Sequence, residues 1–307
     1  MKYAIMGAGG VGGYFGARLA AAGAEVAFIA RGGHKAAMQA NGLVLHSPLG
    51  DLHIEAPEVM DDPAQVGPCD IILFCVKLWD VEAAAETIGP LLAPDTCVLP
   101  IQNGVSVTGT LSRLLGPAHV IGGVTQISAS IEAPGVIRHH GDFARLIFGE
   151  LDGSASRRQE CLLAACQGAG IEARVSPNIE VDLWEKFIFL APMAGATAFY
   201  RAAIGAVRDH PARRARFEAM LRETANLGRA KGVALPEGLE ERLLGVVDHL
   251  PRSMKSSMQL DLERGKRLEL DWLNGEVVRL GQELGVETPE NAAVYEALKP
   301  YAMGRRG

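Results

Sequence analysis

Cysteine is scarce in this chain, and its distribution excludes two common kinds of site. The 307 residues include five cysteines, an odd number, and no two of them form a C-x-x-C pair. The sequence therefore predicts neither a disulfide framework nor a cysteine-based metal site. Most of the five lie in apolar runs, so we expect reduced thiols in the core; they are Cys69, Cys75, Cys97, Cys161 and Cys166.

Positive charge and long apolar runs are scarce as well. Lys and Arg number 30 against 36 Asp and Glu, a formal net charge of −6. Without a basic stripe, nucleic acid is not expected as a partner. The longest apolar stretch, residues 187–200, contains Pro192 and is too short to cross a bilayer, so no membrane partner is expected. A strand predicted within the first few residues leaves no space for a targeting segment, and we expect a cytoplasmic protein.

Glycine, in contrast, is abundant, and one group of glycines has an informative context. Three of the 36 glycines form a G-x-G-x-x-G pattern between an apolar run typical of a buried strand and a predicted helix. In that context the glycines permit a tight turn, the approach of a pyrophosphate, and close packing of helix on strand. The predicted dinucleotide site is formed by Gly7, Ala8, Gly9, Gly10, Val11 and Gly12.

Arg31 follows the second predicted strand and indicates which dinucleotide binds. Folds that prefer NAD usually carry an Asp or Glu at this point, which accepts hydrogen bonds from the ribose 2′-hydroxyl. A carboxylate would repel the 2′-phosphate of NADP, whereas a guanidinium can bind it with two hydrogen bonds. The next residues of the chain include no acid. The sequence therefore predicts NADP(H) as the cofactor.

Strands and helices alternate along the first part of the chain, and helices alone follow. Strands are predicted at 3–6, 25–30, 43–46, 52–55, 70–76, 96–101, 119–124, 127–131, 135–140, 146–151 and 171–175. This pattern is typical of a doubly wound α/β sheet with late antiparallel additions. Later helices are predicted at 179–200, 211–231, 236–249, 268–284 and 289–298. We predict an α/β fold with a Rossmann-type dinucleotide-binding domain over 1–177 and an all-helical domain over 178–307.

The predicted site residues of the first domain share one position in the fold. Gly7, Arg31, Lys77 and Asn103 each follow a predicted strand. Ligands of open α/β sheets bind at the carboxyl ends of the strands, so these residues are expected at one edge. We expect the helical domain to complete the site across a cleft.

Lys186 and an acidic segment are the candidates for chemistry in the helical domain. Lys186 directly precedes the long apolar run of its predicted helix. One interpretation is a lysine that reaches solvent along its stem; the other is a buried ammonium that readily gives up its proton as a general acid. Glu269 and Asp271 open a predicted helix, where acids can simply complement the helix dipole. The residues alone leave both interpretations open.

Taken together, these motifs resemble the ketopantoate reductase (2-dehydropantoate 2-reductase) family over nearly the whole chain. That family combines a Rossmann domain with a helical domain and reduces 2-dehydropantoate to pantoate with NADPH, in the pathway to pantothenate and coenzyme A. The matching segments are Gly7–Gly12, Arg31, Val76–Lys77, Gln102–Gly104, Trp184–Lys186, Ser256–Met258, Glu269–Asp271 and Asn274–Gly275.

The resemblance implies a role for each matching residue. Lys186 corresponds to the lysine that protonates the carbonyl oxygen, and Glu269 to the glutamate that orients it. Ser257 corresponds to the serine that holds the substrate carboxylate, and Asn103 to the asparagine beside nicotinamide and substrate. Arg31 and Lys77 correspond to the basic residues at the 2′-phosphate end of NADPH.

One departure from the family pattern concerns the substrate. The family usually has asparagines four and eight residues after the lysine, on the same helix face. Here these positions are Leu190 and Ala194, and the loss of two amides should weaken selection for a polar substrate. A paralogous reductase of a less polar 2-oxo acid, or of an imino acid, is therefore an alternative. A non-catalytic NADP(H)-sensing protein is another. Helices of the second half could also pair two copies in a homodimer.

Overall fold

The computed structural model describes residues 1–304, which divide into two compact units. The first, called the sheet unit here, comprises Met1–Gln102 and Ser106–Ile179; the second, called the helical unit, comprises Asn103–Val105 and the described part of Glu180–Gly307. Each unit has its own hydrophobic core. The strands, all in the sheet unit, are β1 (Lys2–Met6), β2 (Glu25–Ile29), β3 (Leu43–His46), β4 (Leu52–Ile54), β5 (Glu58–Met60), β6 (Ile71–Phe74), β7 (Cys97–Pro100), β8 (Gly122–Ala133), β9 (Val136–Gly149) and β10 (Glu172–Val175).

Helices occur in both units, and short 3₁₀ turns connect several of them. In chain order the α-helices are α1 (Gly10–Ala21), α2 (Gly32–Asn41), α3 (Val81–Thr87), α4 (Val107–Leu115), α5 (Arg157–Gly168), α6 (Ile179–Tyr200), α7 (Ile204–Arg208), α8 (Pro211–Ala230), α9 (Leu239–His249), α10 (Ser257–Glu263), α11 (Asn274–Leu284) and α12 (Pro289–Leu298). Within residues 1–304, none of these helices combines the length and apolar character that crossing a membrane requires.

A parallel sheet with the order β5-β2-β1-β6-β7 forms the centre of the sheet unit. β6 is buried along its whole length, as expected for a strand whose two faces are both covered. This arrangement confirms the predicted Rossmann-type α/β class. β5 was not predicted, because a three-residue edge strand is too short to show an alternating pattern.

The remaining strands form a second sheet, which corrects the prediction that the late strands extend the first. β3, β4, β8, β9 and β10 make up this sheet, with β9 at its centre. The four strands predicted between 119 and 151 are in fact two long strands, β8 and β9. Bulges near Gln126 and Ile131 shift the register of this hairpin without ending it. The strands predicted at 43–46 and 52–55 are present as β3 and β4, which pair antiparallel in the second sheet.

The helical unit is built around α6, a helix of 22 residues. Its side chains Trp184, Phe187 and Ile188 are fully buried, and its sequence is almost entirely apolar from Phe187 onward. Two predicted helix starts were wrong. α9 begins at Leu239 rather than at 236, after a left-handed Gly238. α11 begins at Asn274 rather than at 268, because residues 270–272 form a 3₁₀ turn.

Candidate active site

The glycine turn, residues 7–12 between β1 and α1, shows a different requirement at each glycine of the pattern. Gly7 has a φ of +97°, which side-chain-bearing residues rarely adopt. A Cβ on Gly12 would lie 2.3 Å from the Gly7 carbonyl oxygen and 2.9 Å from Ile5, so this glycine permits close packing. A Cβ on Gly9 would meet nothing within 4 Å. The protein's own packing therefore does not require glycine at position 9, but the approach of a ligand would.

The backbone N–H groups of the glycine turn fall into two sets. Gly7 and Ala8 both donate to the Ile29 carbonyl oxygen of β2, at 3.2 and 3.1 Å, and so hold the turn on the sheet. Gly10, Val11 and Gly12 form the first turn of α1, whose N–H groups have no acceptor within the helix. This first turn contains no acidic residue. These N–H groups and the positive end of the helix dipole suit an anion.

Arg31 lies at the carboxyl end of β2, where it precedes α2 as the N-cap residue, and it is exposed. The first turn of α2 likewise contains no acid. An acid from another part of the chain does approach this edge in space. Asp61 follows β5, the neighbour of β2, and its carboxylate lies 2.8 Å from the Lys35 ammonium. Lys35 thus compensates the acid, and Arg31 supplies the remaining positive charge.

Lys77 is exposed and precedes the 3₁₀ turn that follows β6. Its ammonium lies 5.6 Å from the centroid of the Trp79 ring. In the strand order β2 and β6 flank β1 on opposite sides, so Arg31 and Lys77 lie on opposite sides of the glycine turn. The structure therefore places both cations at the carboxyl edge of the sheet but does not bring their backbones together.

In the helical unit, Lys186 has an altered acidity. It is half-buried on α6. Burial lowers the pKa of the Lys186 ammonium to about 8, although the nearby charge of Glu269 raises it. An ammonium with a pKa of about 8 remains mostly protonated at neutral pH and gives up its proton more readily than an ordinary lysine. Lys186 therefore has the acidity that a general acid needs near neutral pH.

Asn103 joins Lys186 and Glu269 in what we call the lysine cluster. Asn103 donates a hydrogen bond through Nδ2 to Oε2 of Glu269, at 3.3 Å. The segment Asn103–Val105 groups with the helical unit although it follows a strand of the sheet unit. Gly104 permits this course with a φ of +89°. A residue distant in sequence thus helps to hold the carboxylate that acts on Lys186.

The two adjacent serines of the motif have different surroundings. Ser256 is buried; its Oγ lies 2.7 Å from the Thr197 hydroxyl and accepts the N–H of Gln259, capping α10. Ser257 is the first residue of α10 and is exposed. Because Ser256 is committed to the fold, Ser257 is the serine of this pair that can bind a ligand.

Leu190 and Ala194 lie one and two turns after Lys186 on α6. Leu190 is half-buried and packs against the core of the helical unit, while Ala194 is 1% exposed and lies within it. Neither side chain has a hydrogen-bonding group. The two residues therefore leave this face of α6 apolar, and Ala194 offers almost no surface to a ligand.

A buried polar network braces α6, and no pattern in the sequence predicts it. Asn274 donates through Nδ2 to the Ala191 carbonyl oxygen and to Oδ1 of Asn291, at 3.2 and 3.0 Å. Asn291 in turn donates to Glu223, at 2.7 Å. Gly195 permits this contact, because a Cβ there would lie 2.5 Å from the Asn274 amide nitrogen. No periodic pattern marks such residues, since each is a single polar side chain in an apolar setting.

Comparison with known proteins places this chain among enzymes. Residues 3–153 match the family model described as Ketopantoate reductase PanE/ApbA, and residues 178–302 match the model of its C-terminal part. A 2-dehydropantoate 2-reductase of Mesorhizobium japonicum is 32% identical over 99% of both chains. The uncharacterized oxidoreductase YkpB of Bacillus subtilis is 30% identical, covering 98% of this chain and 99% of its own.

A solved structure agrees with these relatives over both units. The crystal structure of a PanE/ApbA family ketopantoate reductase from Ralstonia eutropha has a TM-score of 0.90 and 34% identity and covers 98% of each chain. The match in sequence and in fold extends over the Rossmann-type sheet unit and the helical unit alike. The chain therefore belongs to the ketopantoate reductase family of oxidoreductases.

Proposed function

We propose that this protein reduces 2-dehydropantoate to pantoate with NADPH, a step towards pantothenate and coenzyme A. The observation that carries the proposal is the lysine cluster: a half-buried ammonium with a pKa of about 8, next to a carboxylate that an amide holds. A non-catalytic NADP(H)-sensing protein would need no such group. The relative from Mesorhizobium japonicum, named 2-dehydropantoate 2-reductase, supports the choice of substrate.

The residues of the sheet unit fit an NADP-type dinucleotide. Open space above Gly9 and the N–H groups at the start of α1 suit a pyrophosphate. Arg31 suits the 2′-phosphate, because a guanidinium binds phosphate oxygens in pairs. Lys77 adds positive charge at the same edge. Bound NADPH would supply the hydride that the carbonyl carbon receives.

The residues of the helical unit would handle the proton and the carboxylate. As the carbonyl becomes an alcohol, negative charge develops on its oxygen, and Lys186 stabilises that charge and donates a proton to it. Glu269 keeps the amine protonated at neutral pH by raising its pKa. Ser257 donates a hydrogen bond to the substrate carboxylate. Lys186 recovers its proton from water before the next turnover.

The loss of NADPH absorbance with 2-dehydropantoate tests this function. We expect turnover by the natural protein, and a kcat lower by about 10²- to 10⁴-fold for Lys186→Ala, the usual range for a positioned acid. Lys231→Ala is the control, because Lys231 is an exposed lysine at the end of α8. Near-full activity of Lys186→Ala would remove Lys186 from this role. Tight NADPH binding without turnover of any 2-oxo acid would favour the sensor.

A second candidate substrate, a less polar 2-oxo acid, is favoured by Leu190. Leu190 lies one turn after Lys186, and its apolar side chain cannot form a hydrogen bond with a substrate hydroxyl group. A site without hydrogen-bond partners for that hydroxyl selects poorly for a substrate that carries it. The test is to measure kcat/KM for 2-dehydropantoate, 2-oxoisovalerate and bulkier apolar 2-oxo acids, in the natural protein and in Leu190→Asn. For this candidate, the natural protein prefers the apolar acids and Leu190→Asn shifts kcat/KM towards 2-dehydropantoate. Equal ratios in both proteins would show that Leu190 does not select the substrate.

A further inference from the structure

His34 holds the glycine turn from the first helical turn after Arg31. Its Nε2 lies 2.8 Å from the Ala8 carbonyl oxygen, in the middle of the glycine turn. Its Nδ1 accepts the N–H of Gly135 at 3.0 Å. Gly135, which has a φ of +77°, lies between β8 and β9. One imidazole ring therefore connects three segments of the sheet unit that are distant in sequence.

These two hydrogen bonds determine the protonation of the ring. The Gly135 N–H can only donate, so Nδ1 carries no proton, and Nε2 carries the proton that Ala8 accepts. Burial lowers the pKa of His34, while the hydrogen bond to Ala8 raises it and does not cancel the effect. His34 is therefore neutral at neutral pH and acts as one donor and one acceptor.

The hydrogen bond to Ala8 fixes the orientation of the peptide that joins Ala8 to Gly9. In a trans peptide the C=O and N–H bonds point in opposite directions, and the chain contains no cis peptide within its described residues. With the Ala8 carbonyl directed at His34, the Gly9 N–H is directed away from α2. Gly9 is also the position whose missing Cβ leaves open space.

We propose that His34 is a positioning residue for the dinucleotide: it orients the Ala8–Gly9 peptide so that the glycine turn can bind a diphosphate. The inference rests on the proposed cofactor. His34 belongs to the same helix that Arg31 caps, so it also ties the turn to the segment proposed to bind the 2′-phosphate. His34 itself touches neither phosphate; it acts through the backbone of the turn.

Binding of two probes to the whole protein tests this role. NADPH contains the diphosphate, whereas 2′-AMP carries only the 2′-phosphate end. For His34→Leu, which removes both hydrogen bonds, we expect NADPH to bind about 10-fold more weakly or worse, with 2′-AMP affinity within about 2-fold of the natural protein. His34→Gln can donate to Ala8 and accept from Gly135, so it should restore most of the NADPH affinity. His140→Leu is the control, because His140 is exposed on the same unit.

The outcomes separate this role from a merely structural one. Equal losses for both probes, or no loss for either, would overturn the positioning role, and so would His34→Gln binding NADPH as poorly as His34→Leu. If His34→Leu does not fold, His34→Phe repeats the test with a ring of similar shape. A natural protein that binds neither NADPH nor NADH would instead refute the proposed function.

Discussion

At the scale of single residues, the acidity of Lys186 makes the pH dependence of the reaction informative. The reduction needs the protonated amine, so kcat/KM should be level below about pH 8 and fall about tenfold per pH unit above it. This fall begins at a lower pH than an ordinary lysine would give, because burial disfavours the charged form. A steady-state pH series at saturating NADPH measures it.

The carboxylate of Glu269 should influence the pH at which kcat/KM falls. Its charge raises the pKa of Lys186, so Glu269→Gln should shift the fall in kcat/KM to lower pH. Asp271→Asn is the matched control, because Asp271 is exposed and its carboxylate already accepts a hydrogen bond from Tyr295 at 2.9 Å. If kcat/KM of Glu269→Gln falls at the same pH as in the natural protein, or if both variants shift equally, the proposed effect of Glu269 on Lys186 is contradicted.

Arg31 should determine the preference between the two nicotinamide cofactors. A hydrogen bond to a charged group contributes roughly 1.5–3 kcal/mol, so Arg31→Ala should weaken NADPH binding by about 10- to 150-fold and leave NADH nearly unaffected. Fluorescence titration of both cofactors measures the ratio. Arg157→Ala, at an exposed position of the same unit, should change neither affinity. A ratio that Arg31→Ala leaves intact would assign the 2′-phosphate to other residues.

Single residues were predictable where chemistry alone distinguishes them. A lysine at the start of an apolar run and an arginine at a strand end stand out in the sequence, so Lys186 and Arg31 could be named as candidates. The sequence could not show that Ser256 is committed to Thr197 while Ser257 is exposed. It also could not show that Asp61 approaches the edge that holds Arg31, because that contact comes from a neighbouring strand.

At the scale of elements, replacing glycine by alanine at two positions of the junction of β1 and α1 should have opposite effects. Gly12→Ala places a Cβ 2.3 Å from the Gly7 carbonyl oxygen, and such overpacking typically costs about 1–3 kcal/mol. Gly9 has an extended backbone with a φ of −75° and open space around it. Gly9→Ala should therefore keep the free energy of unfolding within about 0.5 kcal/mol and lose NADPH affinity.

Denaturant unfolding without cofactor, followed by NADPH titration, distinguishes the two variants. Gly109→Ala is the control: it lies in α4, and a Cβ there meets nothing within 4 Å. Gly109→Ala should not lower the free energy of unfolding, and it should not change the affinity for NADPH. Tight NADPH binding by Gly9→Ala would show that no ligand approaches this glycine.

The elements themselves were predicted unevenly, and the reason is the range of the interactions. β1, α1, β2 and α6 carry local patterns strong enough to identify them. β8 and β9 were divided into four strands, because their bulges interrupt the alternation and only the pairing between them keeps each strand continuous. The predicted start of α11 was wrong, because Leu273 has a non-helical backbone conformation and residues 268–273 contain no glycine or proline that would indicate a break.

At the scale of the whole molecule, the two units carry different groups of residues, and their effects should be separable. Arg31 and the glycine turn belong to the sheet unit, whereas Lys186 and Glu269 belong to the helical unit. Lys186→Ala should therefore retain the natural ratio of NADPH to NADH affinity. Arg31→Ala, at saturating NADPH, should retain the fall in kcat/KM above about pH 8. A cofactor preference that changes in Lys186→Ala would show that the two groups are coupled.

The sequence by itself determined the class of fold, the family and the chemical identity of the candidate groups, because a glycine pattern, strand periodicity and a few reactive side chains are local properties. Tertiary structure decided which strands share a sheet, that Asn103 contacts Glu269 across a long stretch of chain, and that His34 holds the glycine turn. These facts depend on pairing and burial, which bring distant residues together and shift the pKa of Lys186. No single segment contains that information.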